Sequence, residues 1–431
     1  MQGIPNTQTT MKKTIARLTL AALLVSISAA QLSAQCFYNA NVKKYLRADG
    51  TECGNTIITA VPFLRIVGDA RSGAMGDAGL AVSADANAMQ FNVSKLAFAK
   101  QSTALAATYT PWLRALGLTD VYMAYLSGYT KLDDRQAVGA SFRYFNLGSI
   151  NFVDEFATSQ GTGRPNEFEV SLAYSRKLSD NFAVGLAAKY IYSNLAAGQS
   201  VGSVPISTGN AAAADISMTY KRPITLGGTK SDLTAALAIS NIGTKITYTK
   251  SANKDYLPAN LGIGACWDFH LDQYNSIAIA ADINKLLVPT PIYRDTLNPN
   301  NKFDENKNNI PDYKEKSPIG AALGSFNDAP NGASEELREL MYSIGIEYWY
   351  DKQFALRAGY YHEDATKGGR QFLTVGLGLK YNVFGLNFSY LVPTTNQRNP
   401  LDNTLRFTLL FDFAAMKAES TKEAGGDGST N

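Results

Sequence analysis

The stretch FLTVGLGLKY, from Phe372 to Tyr381, alternates without a break. Leu373, Val375, Leu377, Leu379 and Tyr381 fall on one face of an extended chain, and Thr374, Gly376, Gly378 and Lys380 on the other. A period of two marks a strand with unlike faces, because successive side chains leave opposite sides of the pleat. A helix would need apolar spacings of three and four, and each interior glycine would cost it about 1 kcal/mol. The large face is apolar and the opposite face is small or polar, which suits a wall with lipid outside and a narrow lumen inside.

The same alternation recurs in FEVSLAYS (Phe168–Ser175), FAVGLAAKYIY (Phe182–Tyr192) and LRFTLLFDF (Leu405–Phe413). Fourteen such segments are read between Thr103 and Phe413: 103–112, 119–129, 135–147, 166–177, 181–193, 212–221, 233–240, 259–268, 276–284, 340–350, 353–361, 371–381, 385–392 and 404–413. Most exceed the usual soluble strand of about 5–6 residues and have the length of tilted strands crossing a bilayer. Connections alternate in length. TKLDD, LSD, RPITLGGTKSD, HLDQYNS, DK and NVF mark the shorter ones, whereas 148–165, 194–211, 241–258, 285–339, 362–370 and 393–403 are mostly longer, 285–339 being the longest; of that set only the first, 113–118, is brief. Tight turns at one end and extended loops at the other are the pattern of an outer-membrane barrel. Lipid offers no hydrogen bonds, so the strands must pair on both sides and close. The sequence therefore predicts an all-β fold, a transmembrane barrel of about 14 strands over 103–413. Arg143, Lys189, Glu347, Arg357, Lys380 and Asp412 fall on its lumen face.

The rest of the chain frames this wall. Met11-Lys12-Lys13 and Arg17 precede an apolar run from Leu18 to about Ala30, so 1–34 reads as a signal peptide whose first ten residues, before Met11, are extra. Removing it takes away Lys12, Lys13 and Arg17 and no acid, and the formal charge of +3 falls to zero. That balance argues against a nucleic-acid partner. Charged residues make up 18% of the chain, against roughly 25% in typical soluble domains. Segment 35–102 does not alternate; it is read as an N-terminal periplasmic segment folding back into the lumen as a plug. Residues 414–431 are read as a disordered periplasmic tail. The export route and the even strand count place both termini in the periplasm. Cys36 and Cys53 are spaced to close a local disulfide in an exported protein.

Catalytic chemistry finds little footing. The two histidines, His270 and His362, fall at opposite ends of the strand pattern, which excludes a histidine-rich zinc site, and no motif supplies a nucleophile triad. No enzymatic activity is expected. Gly68, Gly73, Gly76 and Gly79 do not form a G-x-G-x-x-G phosphate loop. They fit close packing against a barrel wall, with Asp69 and Arg71 pairing with each other or with lumen charges such as Arg143 or Glu347. In DENKNNIPDYKE, the side-chain oxygens of Asp304, Asn306, Asn308, Asp312 and Glu315, with the carbonyl of Ile310, have the spacing of a Ca2+ loop. A solvated polar loop is the alternative.

The stretch FLRIVGDARSGAMGDAGLAVSADANAMQFNVSKLAF (Phe63–Phe98) and the loop NPNNKFDENKNNIPDYKE (Asn298–Glu315), set around fourteen strands, resemble the PorV family. These are FadL-like outer-membrane barrels of the type IX secretion system, related to the PorQ-like proteins. The family's Asn-Pro-Ala-Lys-Leu-Ala-Phe appears here as Asn92-Val93-Ser94-Lys95-Leu96-Ala97-Phe98, with Pro and Ala replaced. The resemblance implies a shuttle or adaptor that receives cargo proteins by their C-terminal signal domains after translocation. It implies delivery to a PorU-like sortase and attachment complex, which joins cargo to lipopolysaccharide. Its partners would be this cargo, the type IX translocon, the attachment complex and outer-membrane lipid. A FadL-like channel for hydrophobic small molecules is the alternative on the same fold.

Overall fold

The computed structural model describes residues 36–413, except 40, 43, 48–49, 115–116, 154–155, 202–203, 251–252, 294–302 and 396–399. The expected signal peptide and C-terminal tail lie outside the described residues. The wall comprises β1 (Thr103–Pro111), β2 (Val121–Lys131), β3 (Gln136–Leu147), β4 (Asn166–Lys177), β5 (Phe182–Asn194), β6 (Gly209–Leu226), β7 (Thr229–Gly243), β8 (Asn260–His270), β9 (Asn275–Leu286), β10 (Met341–Tyr350), β11 (Phe354–His362), β12 (Gln371–Tyr381), β13 (Phe384–Pro393) and β14 (Leu405–Asp412). Each strand pairs antiparallel with its sequence neighbour, and β14 pairs with β1 from Phe407↔Tyr109 to Asp412↔Ala104, so the barrel of fourteen strands is closed.

Alternation becomes orientation. In β12, Leu373 is 50% exposed on the outer surface while its neighbour Thr374 is 1% exposed on the inner. Outward apolar side chains of this kind recur around the wall at Leu172, Leu186, Ile263, Ile344, Leu356 and Leu409, all exposed. One expected connection is corrected. The sequence pattern leaves residues 222–232 as a turn, but β6 and β7 stay paired as far as Leu226↔Thr229. Gly227 (φ 56°) and Gly228 (φ 86°) form the two-residue turn. Two left-handed residues suit the right-handed twist of a hairpin, so the ladder continues to the tip.

A second correction concerns the N-terminus. The described part of the expected periplasmic segment does not begin at the short-turn end. Cys36–Asn39 and Lys44–Arg47 form a hairpin, and the residues after it bond to the long connections. The Tyr45 N–H donates to Asn331 Oδ1 at 2.8 Å, Asn55 N–H to the Thr366 carbonyl at 2.8 Å, and Ala60 N–H to the Tyr256 carbonyl at 2.9 Å. From there the chain descends through the lumen. Phe63, Leu64 and Ile66 pack with Met123, Phe145, Ile191 and Leu287; farther along, Met89, Val93 and Leu96 pack with Ala104, Tyr129, Ala137 and Ala187. It leaves at the short-turn end to begin β1. The described ends, Cys36 and Phe413, thus lie at opposite ends of the barrel. Polar backbone groups of a non-periodic segment need partners, and the long connections supply them.

Candidate functional site

The lumen is crossed by residues 61–99, and their backbone is bonded to side chains of the wall. Asp69 caps the short helix Ala70–Gly73, its Oδ2 accepting from Ser72 N–H at 2.8 Å. Asp69 makes no ion pair with Arg71. Arg71 instead spans to the wall: Nε donates to Glu347 Oε2 at 2.9 Å and Nη2 to Glu347 Oε1 at 2.7 Å. Its Nη1 also reaches Asp85 Oδ2 at 3.0 Å and the Ser83 carbonyl at 2.9 Å. Arg357 Nε holds Glu347 from the other side at 2.6 Å. Arg143, the other proposed partner, donates to the carbonyls of Phe63 and Leu64 at 3.2 and 3.0 Å.

The glycines sit where the segment meets the wall most closely. A Cβ on Gly76, which has φ 65°, would lie 2.5 Å from the Tyr360 carbonyl oxygen, and one on Gly73 would lie 2.8 Å from Arg406 Nη1. Gly68 N–H donates to Gln90 Oε1 at 2.7 Å, Gly76 N–H to Thr374 Oγ1 at 2.8 Å, and Gly79 N–H to Asp282 Oδ2 at 2.7 Å. Asp282 also accepts from Leu80 N–H at 2.9 Å. Sequence reasoning did not single out Asp282 or Asp85. Asp282 carried a signal, since it interrupts an alanine-rich lumen face; Asp85, on a segment without period, carried none.

Two cavities flank this segment. One of about 120 Å³ lies toward the long connections and includes Arg65, Asp77, Arg143, Asp282 and Arg370 in its lining. The other, about 420 Å³, lies toward the short turns, where Arg71, Asp85, Lys95, Glu347 and Asp412 mix with Phe98 and Leu410.

The described residues of the long connections form a cap. Cys36 and Cys53 are joined by a disulfide. Glu52 between them pairs with Lys44 at 2.6 Å and with Arg338 of the helix Ala333–Arg338. Beneath lies a buried ion cluster: Lys285 meets Glu336 at 3.0 Å and Glu339 at 2.5 Å, and Lys367 meets Glu335 at 2.5 Å and Glu339 at 3.0 Å. Asn55 Nδ2 donates to Glu335 Oε1 at 3.1 Å, tying the N-terminal segment to this cluster. Ile319 and Leu323 lie at one-turn spacing on the helix Pro318–Gly324, and with Phe326 and Leu337 they are half to three-quarters exposed.

The loop Asp304–Glu315 is closed by side-chain amides and backbone N–H groups donating to its carboxylates. Asn306 Nδ2 and Asn308 Nδ2 donate to the two Glu315 oxygens at 2.7 and 2.6 Å. Asp304 accepts from the Asn308 and Asn309 N–H groups, and Asp312 Oδ2 from Glu305 N–H. Ile310 N–H donates to Asn308 Oδ1 at 2.8 Å. Asn309 takes φ 66°, the left-handed turn for which asparagine substitutes for glycine. The donor set is all oxygen, the type that a hard cation takes.

Among solved structures, the chain is similar to the toluene transporter TbuX of Ralstonia pickettii, at 12% identity over 80% of this chain and 97% of that one, with a TM-score of 0.43. The toluene transporter TodX of Pseudomonas putida gives 10%, 83% and 98%, with 0.43. A Pseudomonas aeruginosa FadL homologue gives 11%, 84% and 100%, with 0.40. The barrel itself rests on its own strand register. No curated protein sequence matches the chain. The family model described as "Type IX secretion system protein PorV" matches residues 49–293, which take in the disulfide's second cysteine, the lumen-crossing segment and the first nine strands. The chain belongs to the PorV family, outer-membrane β-barrels of the type IX secretion system of Gram-negative bacteria.

Proposed function

We propose that this barrel is the shuttle or adaptor of its secretion system. It takes cargo by the C-terminal signal domain after translocation and hands it to the sortase complex that attaches it to lipopolysaccharide. The long-connection end faces outward, as in outer-membrane barrels generally, and cargo docks on the cap. The observation that carries this reading is the run of exposed apolar side chains along the longest connection: Ile319 and Leu323 on one short helix, Leu337 on the next and Phe326 between them. Exposed apolar side chains on a long connection suit protein recognition. The lumen-crossing segment serves as a plug, and no step of catalysis is assigned to the barrel.

A FadL-like channel for hydrophobic small molecules is the second reading, and the cavity of about 420 Å³ favours it. Against it stands the Arg71–Glu347–Arg357 group, which sets buried charge across the path. Affinity purification from solubilised membranes separates the two. Recovery of secreted proteins sharing a C-terminal domain, lost in an Ile319→Asp/Leu323→Asp variant that still forms a heat-modifiable barrel, supports the shuttle. Recovery of the barrel alone with bound fatty acid overturns it.

We further propose that the Asp304–Glu315 loop holds Ca2+ through Asp304, Asn306, Asn308, Asp312, Glu315 and the Ile310 carbonyl. The ion would stiffen the cap. Calorimetric titration with Ca2+ on wild type and Glu315→Gln tests this; equal heats in both would reject the site.

A further inference from the structure

At the short-turn mouth, an imidazole and two carboxylates from two strands meet. Asp232 of β7 and Asp268 of β8 are direct cross-strand partners. His270 lies two residues beyond Asp268, on the same face. One ligand atom from each of Asp232, Asp268 and His270 lies within 4.8 Å of the other two, and His270 Nε2 stands 3.6 Å from Asp232 Oδ2. We propose that these three residues bind a divalent transition-metal ion.

Two carboxylates placed opposite each other across a strand pair repel. Lys221 meets Asp232 at 3.2 Å, which leaves Asp268 without an ion-pair partner among the described residues. A divalent ion between the carboxylates satisfies both. One imidazole nitrogen with two carboxylate oxygens is a borderline donor set that suits Zn2+, Co2+ or Mn2+ better than the all-oxygen preference of Ca2+. Access is open, because all three residues line the cavity of about 420 Å³ at the short-turn end. Trp267 and Phe269 alternate with them on the opposite face of β8, stacked with ring centroids 4.7 Å apart. Their position anchors this rim on the lipid side while the ligands stay inside. The His270 side chain is 42% exposed, so it is free to turn into the coordination distance that a metal requires. Bound there, the ion would staple β7 to β8 below the lumen-crossing segment. This site is separate from the cap and independent of the shuttle reading.

The chain holds two histidines, which makes the test clean. Tag-free full-length protein in detergent is titrated with Co2+, read by its visible absorption, and then with competing Zn2+. A single Co2+ site is expected in wild type and in His362→Ala. Affinity should fall by at least about tenfold in His270→Ala and in Asp268→Asn, with heat-modifiable migration confirming that each barrel is folded. Absence of Co2+ binding in wild type overturns the proposal. So does unchanged affinity in both His270→Ala and Asp268→Asn, or an equal loss in His362→Ala.

Discussion

Arg71 and Glu347 meet as a bidentate pair, at 2.9 and 2.7 Å, one from the lumen-crossing segment and the other from the wall. Both side chains are buried, 9% and 3% exposed. Arg357 would still hold Glu347 at 2.6 Å, so removing Arg71 takes away one of two buried partners and strips Asp85 of its ion pair, a loss below the roughly 3–5 kcal/mol of a fully orphaned buried charge. Arg71→Ala should lower barrel stability by about 1–3 kcal/mol, read from the temperature at which the compact gel species is lost. Arg71→Glu sets a second carboxylate against Glu347 and should raise conductance in planar bilayers. Unchanged conductance with normal barrel assembly would remove this segment's role as a plug.

Gly76 and Gly228 separate two costs of substitution. Both have positive φ, but an added Cβ at Gly228 meets nothing within 4 Å, whereas at Gly76 it meets the Tyr360 backbone. Gly228→Ala should cost only the left-handed strain, about 1–2 kcal/mol. Gly76→Ala should cost clearly more, because neither backbone can yield. Equal thermal shifts for the two variants would contradict the tight seat of the segment.

Cys36 and Cys53 make a local prediction. In the chain-entropy account, closing so short a loop stabilises by about 3 kcal/mol. Cys36→Ser/Cys53→Ser should expose the N-terminal hairpin to protease while leaving the barrel heat-modifiable. If the cap faces outward, added protease should cut this segment on intact cells. Cleavage only after the outer membrane is broken would reverse the assigned orientation.

Asp328 gives the cap a pH dependence. Burial pushes its carboxyl up to about 6, and Glu336 and Glu339 push it the same way. A carboxyl raised above its unfolded value, about 3.9, binds its proton more tightly in the folded loop. The stabilisation is full below about 4 and is lost as pH rises through about 6. Amide exchange over residues 317–339, corrected for intrinsic rate, should therefore quicken between pH 4 and about 7. Asp328→Asn should flatten that trend.

The wall was legible because its physics is local. Each residue of Phe372–Tyr381 declares its face by its neighbours alone, and the same held for all fourteen strands. The hairpin tip at Gly227–Gly228 was not legible because ITLGGTK lacks large apolar alternation; backbone pairing, not pattern, carries the ladder there. The N-terminal path was hidden too. It depends on contacts such as Tyr45 with Asn331 and Asn55 with Glu335, between residues whose nearness no periodicity encodes. Arg71 was legible as a buried charge, and Glu347 was among its proposed partners. The site at Asp232 and His270 escaped notice because it needs the β7–β8 register, which sequence spacing leaves open.

The closing seam has a consequence for biogenesis. Thr408 of the last strand hydrogen-bonds to Thr108 of the first at 2.7 Å, and its hydroxyl also accepts from Ala70 N–H at 2.8 Å. The earliest-synthesised part of the lumen and the latest-synthesised strand thus complete one another. Contacts of such sequence separation form late and slowly. An exported chain must stay unpaired until its C-terminal strand has arrived, exposed to aggregation throughout the crossing. Loss of β14 would do more than open the wall; it would also take from the threaded segment the Thr408 hydroxyl that receives Ala70 N–H.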